Sequence, residues 1–234
     1  MSTTEQSSYD FTNADFDAVY TGGDFLPGAG IEGVPWDIGQ AQPEVVEMER
    51  LGRFTGEVLD IGCGPGDNAV FLAGRGHAVT AIDAAPAAIA LARQRARGLD
   101  VTFDVADATE LEGYDDRFDS VLDSALFHTL GEEGRRHCVR ALHRVTRPGG
   151  RLSMLCFADV PGGMPAPLSV SENEVRSVLD EAGWEITYLS SSVFLGLPGP
   201  VRGFFEKVGS SPELDERGHT RLPVWRVFAD RRSA

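Results

Sequence analysis

Residues 57–66, reading Glu-Val-Leu-Asp-Ile-Gly-Cys-Gly-Pro-Gly, constrain this chain more than any other stretch, because an apolar strand passes directly into a turn with three glycines. Val58, Leu59 and Ile61 make the apolar run needed by a strand covered on both faces. Asp67 to Ala73 then opens a helix with an acceptor side chain at its start. Glycine is needed where the backbone takes positive φ or a ligand approaches it closely, and Gly62, Gly64 and Gly66 supply both. Strand, glycine turn and helix together predict the mouth of a cofactor site at the edge of a parallel sheet.

The acids around the turn narrow the cofactor. Asp60 stands two residues before the first glycine, and Asp83 ends the next apolar run about twenty residues on, where a carboxylate accepts from a ribose hydroxyl. Asp107 follows the next strand-like run, 101–105. A dinucleotide would lay a pyrophosphate against the turn, where Asp60 would repel it; a ligand carrying an ammonium and a sulfonium would be attracted. This three-acid pattern resembles that of class I S-adenosylmethionine-dependent methyltransferases. The resemblance implies that Asp60, Gly62 and Gly64 face the methionine end of the cofactor. It further implies that Asp83 and Ala84 lie at its ribose and Asp107 and Ala108 at its adenine.

The segment holding Pro35-Trp36-Asp37-Ile38-Gly39 and Gln42-Pro43 resembles the stretch before the glycine turn in thiopurine, halide and thiol methyltransferases. Actinobacterial methyltransferases of small heterocyclic toxins offer further parallels, at residues 16–20, 113–115 and 118–128. The likeness implies that Trp36 lies over the cofactor and the acceptor entrance; a tryptophan of the core is the alternative. It also implies an α/β fold with a single doubly wound, mostly parallel seven-stranded sheet, the last strand antiparallel, and an N-terminal helical lid. Residues 1–52 are expected to form an arm, lid and first helix, and 53–234 the methyltransferase core, with an acceptor-side insertion at 191–221.

Composition bounds the partners. A chain of 234 residues with 42% hydrophobic content buries one α/β core, so a single domain is expected. A net charge of −15 argues against nucleic acid or anionic lipid as partner and for a small acceptor, with the protein a monomer or homodimer. Three cysteines without short paired spacing indicate neither a disulfide framework nor a zinc site. The polar, acidic N-terminal residues and the lack of a long apolar stretch predict a cytoplasmic protein with no membrane span.

Along the rest of the chain, residues 9–20 carry Phe11, Phe16, Val19 and Tyr20 at the spacing of a short amphipathic helix, either packed on the core or acting as a lid. Pro86 opens an alanine-rich helix whose Arg93, Arg95 and Arg97 read as solvated. Residues 132–145 read as a helix, Arg147-Pro148-Gly149-Gly150 as a turn, and Ser171-Glu172-Asn173-Glu174 as a capping box. Strands are expected at 151–157, 184–189 and 222–228. In the long connection at 191–221, Phe194, Leu195, Leu197, Phe204 and Phe205 either wall an acceptor pocket or close the edge of the core.

Methyl transfer from a sulfonium is an in-line displacement that needs positioning and a dry site, and a base only when the acceptor carries a proton. His128, just beyond the fourth strand, is the candidate base, against the alternative of a structural histidine. Asp123 holds the cofactor, orients His128 or meets a cationic acceptor. Tyr20 is a lid residue or a hydroxyl that donates to the acceptor. No Asn-Pro-Pro-Tyr, Asp-Pro-Pro-Tyr or Pro-Cys follows the fourth strand, which argues against a nucleobase acceptor. The resulting expectation is methyl transfer to an O, N or S nucleophile of a small aromatic or heterocyclic molecule, in natural-product or xenobiotic metabolism. A nicotinamide-dependent oxidoreductase and an adenosylmethionine-binding enzyme that transfers no methyl, such as a cyclase, are the alternatives.

Overall fold

In the computed structural model, residues 14–23 and 26–232 are described, so Tyr9 and Phe11 lie outside the described residues. The elements run α1 (Phe16–Tyr20), α2 (Pro43–Arg50), β1 (Glu57–Ile61), α3 (Asp67–Gly74), β2 (Ala78–Asp83), α4 (Pro86–Arg95), β3 (Val101–Val105) and β4 (Phe118–Ser124). A 3-10 turn (Phe127–Thr129) leads to α5 (Glu132–Val145), β5 (Thr146–Phe157), α6 (Glu172–Glu181), β6 (Trp184–Gly196), α7 (Pro198–Val208), β7 (Glu213–Leu214) and β8 (Thr220–Arg231).

The strands form one sheet in the order β3-β2-β1-β4-β5-β8-β6, with β7 paired to β8. The first five strands are parallel, and β8 runs antiparallel to both β5 and β6. The sheet thus has eight strands rather than seven, the addition being the two-residue β7 inside the connection at 191–221. Much of the rest of that connection is also regular. β6 continues to Gly196, and Pro198, at the first position of α7, starts a helix that ends at Gly209 in the left-handed region.

Alternation along the buried strands sends side chains to two cores. Val58 on β1 and Leu155 on β5 join the core under α2, α3, α4 and α7. Leu59 and Ile61 on β1, and Leu152, Met154 and Cys156 on β5, join the core under α5 and α6. Helices therefore cover both faces, as a doubly wound sheet requires.

Local signals are met with three exceptions. Ser171 accepts from the Glu174 amide at 3.2 Å, as the capping box requires. The Arg147-Pro148-Gly149-Gly150 turn lies within β5: Phe118 pairs with Thr146 and Ser120 with Arg151, so these four residues bulge out of the ladder. Arg93 and Arg95 are not simply solvated. Arg93 Nη2 donates to the Phe103 carbonyl at 2.6 Å, and Arg95 bridges Asp37 and Asp67 at 2.6 and 2.5 Å. Asp67 is therefore spent on Arg95, and α3 starts from Gly66 without a side-chain cap. Gly66, at φ 85°, is also where α3 and α4 approach, because a Cβ there would stand 2.8 Å from the Ala92 methyl.

Candidate functional site

The carboxyl ends of the parallel strands open into a cavity of about 410 Å³, within the range of ligand clefts. Its first half lies at the tips of β1, β2 and β3 and is lined by Gly62, Gly64, Asp83, Ala84, Asp107 and Ala108. Its second half lies toward β5, β6 and β8 and is apolar, with Ile31, Phe157, Met164, Leu168, Phe194 and Leu222. Sheet order separates the halves, since β1 and β4 stand between β2 and β5.

The glycine turn is tight for a stated reason. Gly62 has φ 66°, and a Cβ on it would come within 2.8 Å of the Leu126 Cβ; a Cβ on Gly64 would stand 3.1 Å from the Tyr20 hydroxyl. The Gly64 amide donates to Asp83 Oδ2 and the Ala85 amide to Asp83 Oδ1, each at 2.8 Å. Asp83 thereby ties the turn to β2, and burial pushes its carboxyl up despite those amides. At the tip of β3, Asp107 Oδ1 accepts from the Thr109 amide and hydroxyl, each at 2.7 Å.

Two of the sequence-derived acids do not reach the cavity. Asp60 and Asp123 are 1% and 0% exposed and are absent from its lining. Asp123 does not orient His128: its Oδ1 accepts the Leu126 and Phe127 amides at 2.9 and 3.3 Å and so shapes the chain leaving β4. Neither oxygen of Asp60 has a partner in hydrogen-bond geometry, although the Ala69 amide is close enough to favour its charged form. Burial, with the Asp123 and Asp83 carboxyls nearby, pushes Asp60 up to about 8. Burial alone, opposed by the two amides, pushes Asp123 up to about 7. Asp60, repelled by the Asp123 and Asp83 carboxyls, therefore sits beneath the turn at a site that a cation would relieve.

The N-terminal arm closes one side. Asp15 caps α1 through the Ala18 amide, and Asp17 Oδ1 accepts the Ala87 amide at 2.7 Å, docking α1 on the first turn of α4. Trp36 lies at ring-centroid distances of 6.1 Å from Phe16 and 6.2 Å from Tyr20. All three line the cavity. The Tyr20 hydroxyl accepts from Trp36, and burial followed by Asp83 raises its pKa.

His128 sits at the junction of the two halves, 5% exposed, its ring 4.0 Å from that of Phe157. The Phe157 amide donates to Nδ1 at 3.3 Å, and burial, then Arg135, holds the imidazolium down at about 3. The aromatics at 191–221 divide: Phe194 lines the cavity, whereas Phe204 and Phe205 belong to the core. Sequence reasoning missed Ile31, Met164, Leu168, Val201 and Leu222 as lining. Met164 and Leu168 lie in or beside a Pro- and Gly-rich stretch without periodicity, where apolar residues carry no local signal.

The methyltransferase-domain family matches residues 58–150. The chain is 42% identical over 161 residues to the 2-heptyl-1-hydroxyquinolin-4(1H)-one methyltransferase of Mycobacteroides abscessus, a match covering 67% of this chain and 70% of that protein. Among solved structures, one describing conversion of a disulfide bond into a thioacetal group during echinomycin biosynthesis is 34% identical, with TM-score 0.78, covering 93% of this chain and 91% of that one. The 1,6-didemethyltoxoflavin-N1-methyltransferase of Burkholderia thailandensis, solved with S-adenosylhomocysteine, shares the fold at 22% identity and TM-score 0.57, covering 82% of this chain and 77% of that one. These similarities leave no place for the nicotinamide-dependent reading, and with the acid-rimmed glycine turn they make the chain a member of the class I S-adenosylmethionine-dependent methyltransferases.

Proposed function

We propose that this enzyme methylates an O, N or S nucleophile of a small aromatic or heterocyclic acceptor lodged in the apolar half of the cavity. One observation carries the reading: a single cavity runs from the acid-rimmed glycine turn to a chamber walled by Phe157, Met164, Leu168 and Phe194. Similarity to a hydroxyquinolone methyltransferase supports an acceptor of that kind. The net charge of −15 supports a small molecule over a nucleic acid. Three buried free cysteines support a reducing, cytoplasmic setting, and no helix among the described residues is long and apolar enough to cross a membrane.

The residues present fit adenosylmethionine. The unpartnered carboxyl of Asp60 and its two acidic neighbours suit a cation, and the turn admits a ligand close to its backbone only because Gly62 and Gly64 lack Cβ atoms. When bound, the cofactor supplies an electrophilic methyl carbon on sulfonium. Gly62 and Gly64 would offer backbone to its methionine end, with Asp60 acting through its field from below the turn. Asp83 and Ala84 would meet the ribose, and Asp107 and Ala108 the adenine. The part of the arm formed by α1, with Trp36 and Tyr20, would cover the site and keep water out.

Incubation with adenosylmethionine and a panel of phenols, hydroxyquinolines, thiols and azoles, read by mass spectrometry, tests the proposal. Methylated product with release of adenosylhomocysteine supports it. Tight adenosylhomocysteine binding with no product from any acceptor would favour the non-methylating alternative.

A further inference from the structure

The acceptor's proton has no destination inside the cavity. Its titratable lining, among the described residues, is Tyr20, Asp83, Asp107 and His128. Asp83 and Asp107 stand at the tips of β2 and β3, across the sheet from the apolar chamber, and hold backbone and threonine donors. The Tyr20 hydroxyl takes the Trp36 donor. His128 alone borders the chamber, and its Nδ1 lone pair faces an amide that can only donate. A neutral imidazole bonded in this way carries its hydrogen on Nε2, so its second nitrogen is a donor.

The groups around the imidazole reinforce that state. Arg135 of α5 donates to the His128 carbonyl at 3.1 Å and pairs with Glu174 of α6 at 2.6 Å. Glu132 and Glu174 line the polar recess behind it, Asp123 of β4 gives Oδ1 to two amides and buries Oδ2 without a partner, and Cys156 of β5 is buried with its thiol pushed up. The charged group that bears on His128 is Arg135, which disfavours imidazolium.

Resting on the acceptor reading above, we propose that the acceptor enters as an anion, its proton already lost to solvent, and that His128 holds it by donating from Nε2. The acceptor's lone pair forms the new bond to the methyl carbon as the carbon–sulfur bond breaks and its electron pair returns to sulfur. An anion and a sulfonium leave as two neutral products, and no proton is transferred within the site. The acceptor class is then acidic hydroxyls, thiols and ring N–H groups rather than alcohols or amines.

The test uses the full-length enzyme and a series of substituted phenols and hydroxyquinolines of graded acidity. The midpoint of kcat/KM against pH is expected to follow each acceptor's own pKa; one midpoint shared by all acceptors overturns the proposal. A second readout needs no turnover. With adenosylhomocysteine present, a nitrophenol bound to the enzyme should show the phenolate absorption at pH values where the free phenol is still protonated, its apparent pKa lowered by about one unit, roughly tenfold in proton affinity. His128→Phe should remove that shift and weaken acceptor binding roughly 10- to 100-fold. His128→Gln, which keeps a donor but is no base, should recover most of the loss. Failure of Gln to do better than Phe while both remain folded overturns the donor role. Bound adenosylhomocysteine with no product from any acceptor at any pH overturns the acceptor reading itself, and this inference with it.

Discussion

The Trp36 indole donates to the Tyr20 hydroxyl at 2.9 Å, directly above the glycine turn. That bond ties α1 to the 33–43 segment across the cofactor half of the cavity, so arm and segment close the site as one unit. Tyr20→Phe keeps the ring and removes the acceptor. A neutral hydrogen bond of this kind is worth about 1 kcal/mol, so adenosylhomocysteine should bind roughly five- to tenfold more weakly by calorimetry. An unchanged dissociation constant would separate this pair from cofactor retention.

Arg95 provides a second fastening. Its guanidinium grips both oxygens of Asp37, next to Trp36, and reaches Asp67 on α3. These contacts hold Asp37 below the usual carboxylate range, first through the hydrogen bonds from Arg95. Arg95→Ala leaves two neighbouring carboxylates without their cation, and because the groups are partly exposed the expected loss is about 1 kcal/mol in urea unfolding. Proteolysis within residues 26–42 should quicken at the same time, and adenosylhomocysteine should slow it again. Arg95→Lys should rescue little, since an ammonium lacks the planar fork.

Asp60 makes both stability and cofactor affinity depend on pH. Its pKa in the fold, about 8, lies above the ordinary aspartate value, so between about pH 4 and about pH 8 the native state holds more proton than the unfolded chain. Stability without ligand should therefore fall as pH rises through that window. A cation over the turn favours the carboxylate, so adenosylmethionine binding should release protons below about pH 8 and tighten as that pH is approached. Calorimetry in buffers of different ionisation enthalpy measures the released proton. Asp60→Asn should abolish both its release and Asp60's part of the stability slope while weakening the cofactor. Proton release equal to wild type in that variant would assign the linkage elsewhere, Asp123 being the nearest candidate.

The fold and the first half of the site were legible because their signals are local. A glycine turn between an apolar run and a helix, an acid at each strand tip, proline at helix starts and a serine cap each act within a few residues. What escaped depends on residues distant in sequence. Nothing in 146–157 says that a turn sequence will bulge from within a strand, and nothing near Arg95 points to Asp37, fifty-eight positions away. Asp60 and Asp123 stand on the strands that the sequence predicts, β1 and β4, but the sheet buries both carboxyls beneath the ligand cavity. His128 was found by its position after β4. Its role turns on the Phe157 amide, twenty-nine residues on, which no local pattern announces.

The acceptor chamber carries the last prediction. Phe194 stands edge-on to Phe157 with ring centroids 6.1 Å apart, on the side of the cavity away from the glycine turn. Phe194→Ala should enlarge the chamber at a cost of about 3 to 5 kcal/mol in stability, the usual range for losing a buried phenyl ring. Small acceptors should then show a raised KM and bulkier ones a lowered KM, with adenosylhomocysteine affinity unchanged because that half of the cavity is untouched. Val201→Phe, projecting into the same chamber from α7, should act in the opposite sense and exclude the bulkier acceptors first. Steady-state kinetics on acceptors graded by ring number or alkyl length decides the matter. Parallel loss for all sizes in both variants would mean that these walls support the fold without shaping the choice of acceptor.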